Sequence, residues 1–173
     1  RRVICMSTTH VAMLDALGET ETIVGISGSD YISHPALRSK LETKKVRDIG
    51  ADQTLNYELI LTLRPDLVFA YGITAEVSGM VNRLGSLGIP VILNGDYLEV
   101  EPLGKTEWIR FLAAFFRAEH KADSIFNSVA DAYGQYQELI SDTPEKPSVM
   151  TGLPWKDSWY IPGGKSFASN YIR

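Results

Sequence analysis

Short apolar runs rich in Val and Ile recur along this chain, and a helical pattern separates most of them from the next. Residues 3–6 read as a buried strand; Val11, Leu14 and Leu17 mark a helix stopped by Gly18; residues 23–26 read as a second strand. The alternation returns with Leu59, Ile60 and Leu63 behind an Asn56 N-cap, a break at Arg64-Pro65-Asp66, and a third strand over 67–71. Val77, Met80, Val81 and Leu84 form an amphipathic stripe that stops at Gly88, before a strand over 89–93. Residues 28–55 read as polar and irregular, with one short extended piece over 46–49. Strands this apolar bury both faces, so the pattern predicts an α/β unit in which helices flank a parallel sheet.

The second half changes character. Trp108, Phe111, Leu112, Phe115 and Phe116 mark one helix, and a longer helical pattern runs from Glu119 to about Ser141, with Ala122, Ile125, Phe126, Val129, Tyr133 and Tyr136 on or near one face. At 1.5 Å rise per residue such a helix spans roughly 35 Å. That is long for a crossover in a compact sheet and fits a strut between structural units. After Thr143-Pro144-Glu145-Lys146-Pro147 the spacing predicts a strand over 148–151, then the start of a helix with Phe167 and Tyr171 one turn apart.

Composition narrows the function. Apolar residues make up 45% of 173 and charged residues 22%, the balance of a soluble globular chain, and no apolar run approaches a membrane span of roughly 20 residues. With a formal charge of −4 and 17 scattered Lys and Arg, the chain lacks the basic footprint of a nucleic-acid surface. The one cysteine, Cys5, lies inside the first apolar run and is expected to behave as a small buried hydrophobe.

The polar stretch Ser7-Thr8-Thr9-His10 closes the first strand. It lacks the glycines of dinucleotide and phosphate loops, which weakens a Rossmann-like enzyme reading. Ser7 or Thr8 suits the N-cap of the next helix, a position that also presents backbone N–H groups to a ligand. His10, His34 and His120 share no metal-ligand spacing, so a zinc or manganese receptor would require long-range convergence. No G-x-S-x-G elbow is present, and no catalytic residue is assigned. Aromatic residues fall instead at strand ends: Tyr31 after the second, Tyr71 at the end of the third, Tyr97 after the fourth, and Trp155, Trp159 and Tyr160 after the strand that follows the long helix. With Thr8 and Thr9 they predict a cleft that takes a sizeable organic ligand, since such rings combine a large apolar face with a polar handle.

The order of "VICMSTTHVAMLDALG", "IVGISG", "VRDIG", "NYELILTLRPDLVFAYG", "LGSLGIPVILN", "KADSIFNSVADAY" and "WYIPGG" resembles the periplasmic substrate-binding proteins of ABC importers for iron-siderophores, haem and cobalamin. The resemblance runs over essentially the whole chain. It implies two α/β lobes joined by a long backbone helix: an N-terminal lobe over 1–117, the helix over 118–142, and the beginning of a C-terminal lobe, incomplete here, over 147–173. It implies a non-enzymatic, monomeric protein, periplasmic or lipid-anchored at the cell envelope, that needs no cofactor of its own. Its cargo would be a small-molecule metal chelate: a ferric siderophore first, with haem, a cobamide or a free metal ion as alternatives. Its partner would be a membrane permease dimer, contacted by Glu76, which falls where the N-lobe docking glutamate lies. As the first-turn residue of a helix, Glu76 also suits the helix dipole.

Overall fold

The computed structural model describes residues 1–51, 54–72, 75–141 and 143–172. Two compact units result, Arg1–Gly95 and Asp96–Arg173. The expected end of the long helix at 142 and the last residue, Arg173, lie outside the described residues.

The first unit is an α/β sandwich on a five-stranded sheet, all of whose pairings are parallel. Its strands are β1 (Val3–Cys5), β2 (Ile23–Ile26), β3 (Arg47–Asp48), β4 (Leu67–Ala70) and β5 (Val91–Leu93), and its helices α1 (Thr8–Leu17), α2 (Pro35–Glu42), α3 (Tyr57–Leu63) and α4 (Ala75–Ser86). The strand order is β3-β2-β1-β4-β5, which leaves β1 central, with Val3, Ile4 and Cys5 paired to Leu67, Val68 and Phe69. All residues of β1, β2 and β4 are buried, as strands covered on both faces must be. Ile4, Ile49, Ile60, Val68 and Leu84 form the centre of one cluster of buried side chains, sealed by Met80 and Ile89. Gly25 in β2 is a packing necessity there: a Cβ would lie 3.0 Å from Ile4 and 3.0 Å from Ile49.

Local signals place the helix ends. Ser7 caps α1 by accepting the Thr9 amide, and Gly18 closes it at φ 77°, in the left-handed region that favours glycine. Asn56 accepts the Leu59 amide at 2.9 Å at the start of α3, and Arg64 ends that helix ahead of Pro65. The expectation of an irregular 28–55 segment is corrected by α2, which starts at Pro35 and is capped by the imidazole of His34. Its signal is faint because Leu37 is its only buried residue and histidine is not a usual cap.

In the second unit α5 (Pro102–Ala113) packs on α6 (Glu119–Ser141), and α7 (Phe167–Ile172) is tied to the lead-in of α5 through Asn170, which donates to the Val100 carbonyl at 3.0 Å and to the carboxylate of the N-cap Glu101 at 3.1 Å. Arg110 ties α5 to α6: its guanidinium lies 3.9 Å from the Phe126 ring centre and donates to Asp123 at 2.7 Å. The 23-residue α6 matches the long helix read from the sequence, although Ala122 is its only buried residue. The expected strand over 148–151 does not form; Val149 and Met150 are exposed. A strand is made by hydrogen-bonded neighbours, and among the described residues none pairs with this segment.

Candidate functional site

Parallel strands put every carboxyl end on one edge of the sheet, and the first unit carries its polar loops there. Between β1 and β4 the chain direction of the connections diverges, one set leading to β2 and β3 and the other to β5. Crevices at such a switch point are where open α/β sheets take ligands. Thr8 and Thr9 follow β1 and Tyr71 follows β4, so the ends of these two adjacent strands flank this point from either side. Beneath them His10 is buried, its ring centre 6.0 Å from Phe69 and 6.4 Å from Tyr71, which gives the edge an aromatic floor.

Each side chain is positioned by local structure. The Ser7 hydroxyl, fixed by the Thr9 amide, also lies 2.9 Å from the Thr9 hydroxyl, so Thr9 is tied to the cap, and Thr8 and Thr9 are both exposed. Tyr31 ends a short 3-10 turn after β2, and Gly28 enters that turn at φ 72°. Asp48 clamps the turn: it accepts from the Ser29 hydroxyl, from the Ser29 amide at 3.2 Å and from the Gly50 amide at 2.8 Å. Partial burial works against ionisation of Asp48, but the Ser29 hydroxyl and then the two amides outweigh it and hold its carboxyl below the usual carboxylate range. Tyr31 is thereby presented outward, 82% exposed, and Tyr71 is 45% exposed.

Thr8 and Tyr31 share a groove of about 330 Å³ with Asp15, Ser33, His34 and Pro35. His34 bridges its two helices, accepting the Leu37 amide on Nδ1 at 3.4 Å and donating from Nε2 to Asp15 at 3.1 Å. These groove residues carry no motif; only the His-Pro pair, read as a cap followed by a first-turn proline, could have pointed to them. Asn94, which follows β5 on the same edge, is also absent from the sequence-based set: it is buried, and among the described residues its carboxamide has no hydrogen-bond partner.

The remaining predicted contacts belong to the second unit. Tyr97 lies in a short turn over Asp96–Leu98 and is 41% exposed. Trp155, Trp159 and Tyr160 do not follow a strand, as expected, but an extended loop braced by a single antiparallel bridge between Trp155 and Ser158. Trp159 donates its indole N–H to the Thr151 carbonyl at 3.1 Å and lines a groove of about 390 Å³ with Val149, Met150 and Ile161. A groove of about 520 Å³ between α5, α6 and α7, lined by Leu103, Val129, Tyr133, Tyr136, Phe167 and Tyr171, holds none of the predicted residues.

Glu76 stands exposed in the first turn of α4. Cys5 is buried, and burial pushes its thiol up, as a small hydrophobe in β1 requires. Among the described residues no three His, Cys, Asp or Glu side chains gather to hold a metal ion, and no helix is long and apolar enough to cross a membrane.

Residues 3–173 match the profile of the family described as periplasmic binding protein. The chain belongs to the periplasmic binding protein family. Family members of known sequence include an uncharacterised ABC transporter substrate-binding lipoprotein of Bacillus subtilis, 26% identical over 99% of this chain and 52% of its own length. The vitamin B12-binding protein of Salmonella typhimurium is 34% identical over 78% of this chain and 47% of its own length. The chain thus spans about half the length of the curated relatives it matches. The crystal structure of a possible iron-binding, periplasmic solute-binding protein from Staphylococcus epidermidis superposes with a TM-score of 0.74 at 18% identity, over 99% of this chain and 63% of that one. At that identity the likeness establishes the periplasmic binding protein fold, the α/β architecture read from the strand-helix alternation.

Proposed function

We propose that this periplasmic binding protein is the solute-binding component of an ABC import system. It captures a metal chelate, a ferric siderophore or alternatively haem or a cobamide, and delivers it to a membrane permease dimer. The observation that carries this reading is the position of Thr8, Thr9 and Tyr71 at the sheet's switch point, with Tyr31 presented from the same edge. Hydroxyls and exposed rings on a rigid strand edge suit a large organic ligand. The name of the Bacillus subtilis relative supports the transport class, that of the Salmonella relative a corrinoid, and that of the Staphylococcus neighbour an iron compound.

Tyr97, Trp155, Trp159 and Tyr160 are further contacts in this reading, and Glu76 meets the permease. The protein is a monomer that works at the cell envelope, periplasmic or tethered by lipid, and catalyses no reaction. Titration with cyanocobalamin, a ferric trihydroxamate and haem, followed by tryptophan fluorescence and native mass spectrometry, tests it. One of the three is expected to bind one-to-one with Kd of about 1 μM or tighter, and Tyr31→Ala or Tyr71→Ala to weaken it about tenfold, roughly 1.4 kcal/mol. Binding of none of them sinks the proposal.

A further inference from the structure

Asn94 breaks the pattern that builds the sheet it leaves. Leu93, at the end of β5, is 46% exposed, while the next residue, Asn94, is 1% exposed, so the hydrophobe meets solvent and the carboxamide is sealed in. Burial energetics favour the opposite order. A carboxamide brings two N–H donors and a carbonyl acceptor into the interior, and among the described residues neither its nitrogen nor its oxygen has a hydrogen-bond partner. An unmet polar group of this kind costs stability that a leucine of similar volume would not.

Asn56 shows what a structural asparagine does in this fold, accepting the Leu59 amide to start α3. Asn94 has no such role, since its side-chain oxygen accepts from no amide among the described residues. What fixes the residue is its backbone. The Asn94 amide donates to the Ala70 carbonyl at 2.8 Å, which carries the β4–β5 ladder one step past Leu93 and sets Asn94 beside Tyr71, the residue after Ala70. Main chain thus holds Asn94 at the carboxyl edge, next to a residue that is 45% exposed, with a side chain that the fold leaves unsatisfied. Departures from local consistency of this sort gather where function requires them.

We infer that Asn94 is a specificity-determining residue of this edge: its covered carboxamide turns to the crevice beside Tyr71 when the solute arrives, and is completed by a solute group that both accepts and donates a hydrogen bond, as an amide or a hydroxyl does. The inference rests on the proposed function and adds to it a residue rather than a choice among its ligands. Because the unmet group weakens the fold and serves only the complex, its removal moves stability and affinity in opposite directions. A purely structural asparagine would lose both together.

The test uses isotope-labelled, purified protein and three diamagnetic probes: cyanocobalamin, a gallium(III) trihydroxamate and zinc protoporphyrin. With a probe that binds, the side-chain amide protons of Asn94, assigned by their absence in Asn94→Leu, are expected to shift, and their exchange with water to slow at least about tenfold. Asn94→Leu is expected to melt about 3 °C higher and to bind that probe at least about tenfold more weakly. If Asn94→Leu does not fold, assignment through the neighbouring carbons of the unaltered protein identifies the same protons, and their response decides. Amide protons that a bound probe leaves unmoved overturn the inference, as does a cross-peak from them to an interior water that persists in the loaded protein. Unchanged affinity of Asn94→Leu, or loss of stability together with affinity, overturns it as well, and each of these results leaves the transport reading standing. Binding of no probe overturns both.

Discussion

The hydroxyl oxygen of Ser7 accepts the Thr9 amide and lies within hydrogen-bond distance of the Thr9 hydroxyl, so one atom both starts α1 and holds a residue of the proposed site. Ser7→Ala removes both, and stability is expected to fall by about 1 kcal/mol, read as a lower urea midpoint at unchanged slope. Asp48 gives a second residue-scale prediction. Its carboxyl is held below the ordinary range, so its contribution is fully present above that range and is lost as pH falls through the lowered native value. Urea midpoints of the unaltered protein and of Asp48→Asn, measured from about pH 6 down to about pH 3, are expected to differ at the upper end and converge at the lower. A constant gap across that window would mean that Asp48 acts by packing rather than by its charge. The Ser29–Asp48 clamp itself had no local trace in the sequence, because its partners lie 19 residues apart.

At the scale of elements, helices were legible where caps and apolar spacing agreed, as in α1 and α3, and faint where a short helix buries a single side chain, as in α2. The long helix was the clearest of all, since a stripe sustained over 23 residues has few other readings. Gly134 sits in its interior, and a Cβ there would meet nothing within 4 Å. Gly134→Ala is therefore expected to stabilise the second unit by about 0.5 to 1 kcal/mol, seen as a higher melting temperature. Residues 148–151 show the converse: their β-branched and apolar character resembles a strand, but pairing is a property of two segments and cannot be read from one.

For the whole molecule, the sheet order gives the proposed ligand contacts and the proposed permease contact different places. Thr8, Thr9 and Tyr71 flank the switch point, whereas Glu76 heads α4, the helix that leads towards β5 at the edge of the sheet. Ligand capture and permease contact are therefore expected to respond to different changes. Glu76→Arg should leave the affinity for the bound chelate within about twofold while lowering uptake by a reconstituted transporter at least about tenfold, because a reversed charge at a docking contact acts on partner association. A parallel loss of chelate affinity would count against the separation.

What the amino-acid order determined by itself was local. The apolar runs named the strands, Ser7, Asn56 and Gly18 named helix ends, and the missing glycines after β1 removed a nucleotide loop, because periodicity and capping act over a few residues. Tertiary structure decided which strands are neighbours, and with that everything at the site. Only the order β3-β2-β1-β4-β5 puts Thr8 and Tyr71 on either side of one crevice and joins Thr8 to Tyr31, Asp15 and His34 in a groove. That order is set by burying Ile4, Ile60, Val68 and Leu84 together across distant segments, an energy that no short window of sequence contains.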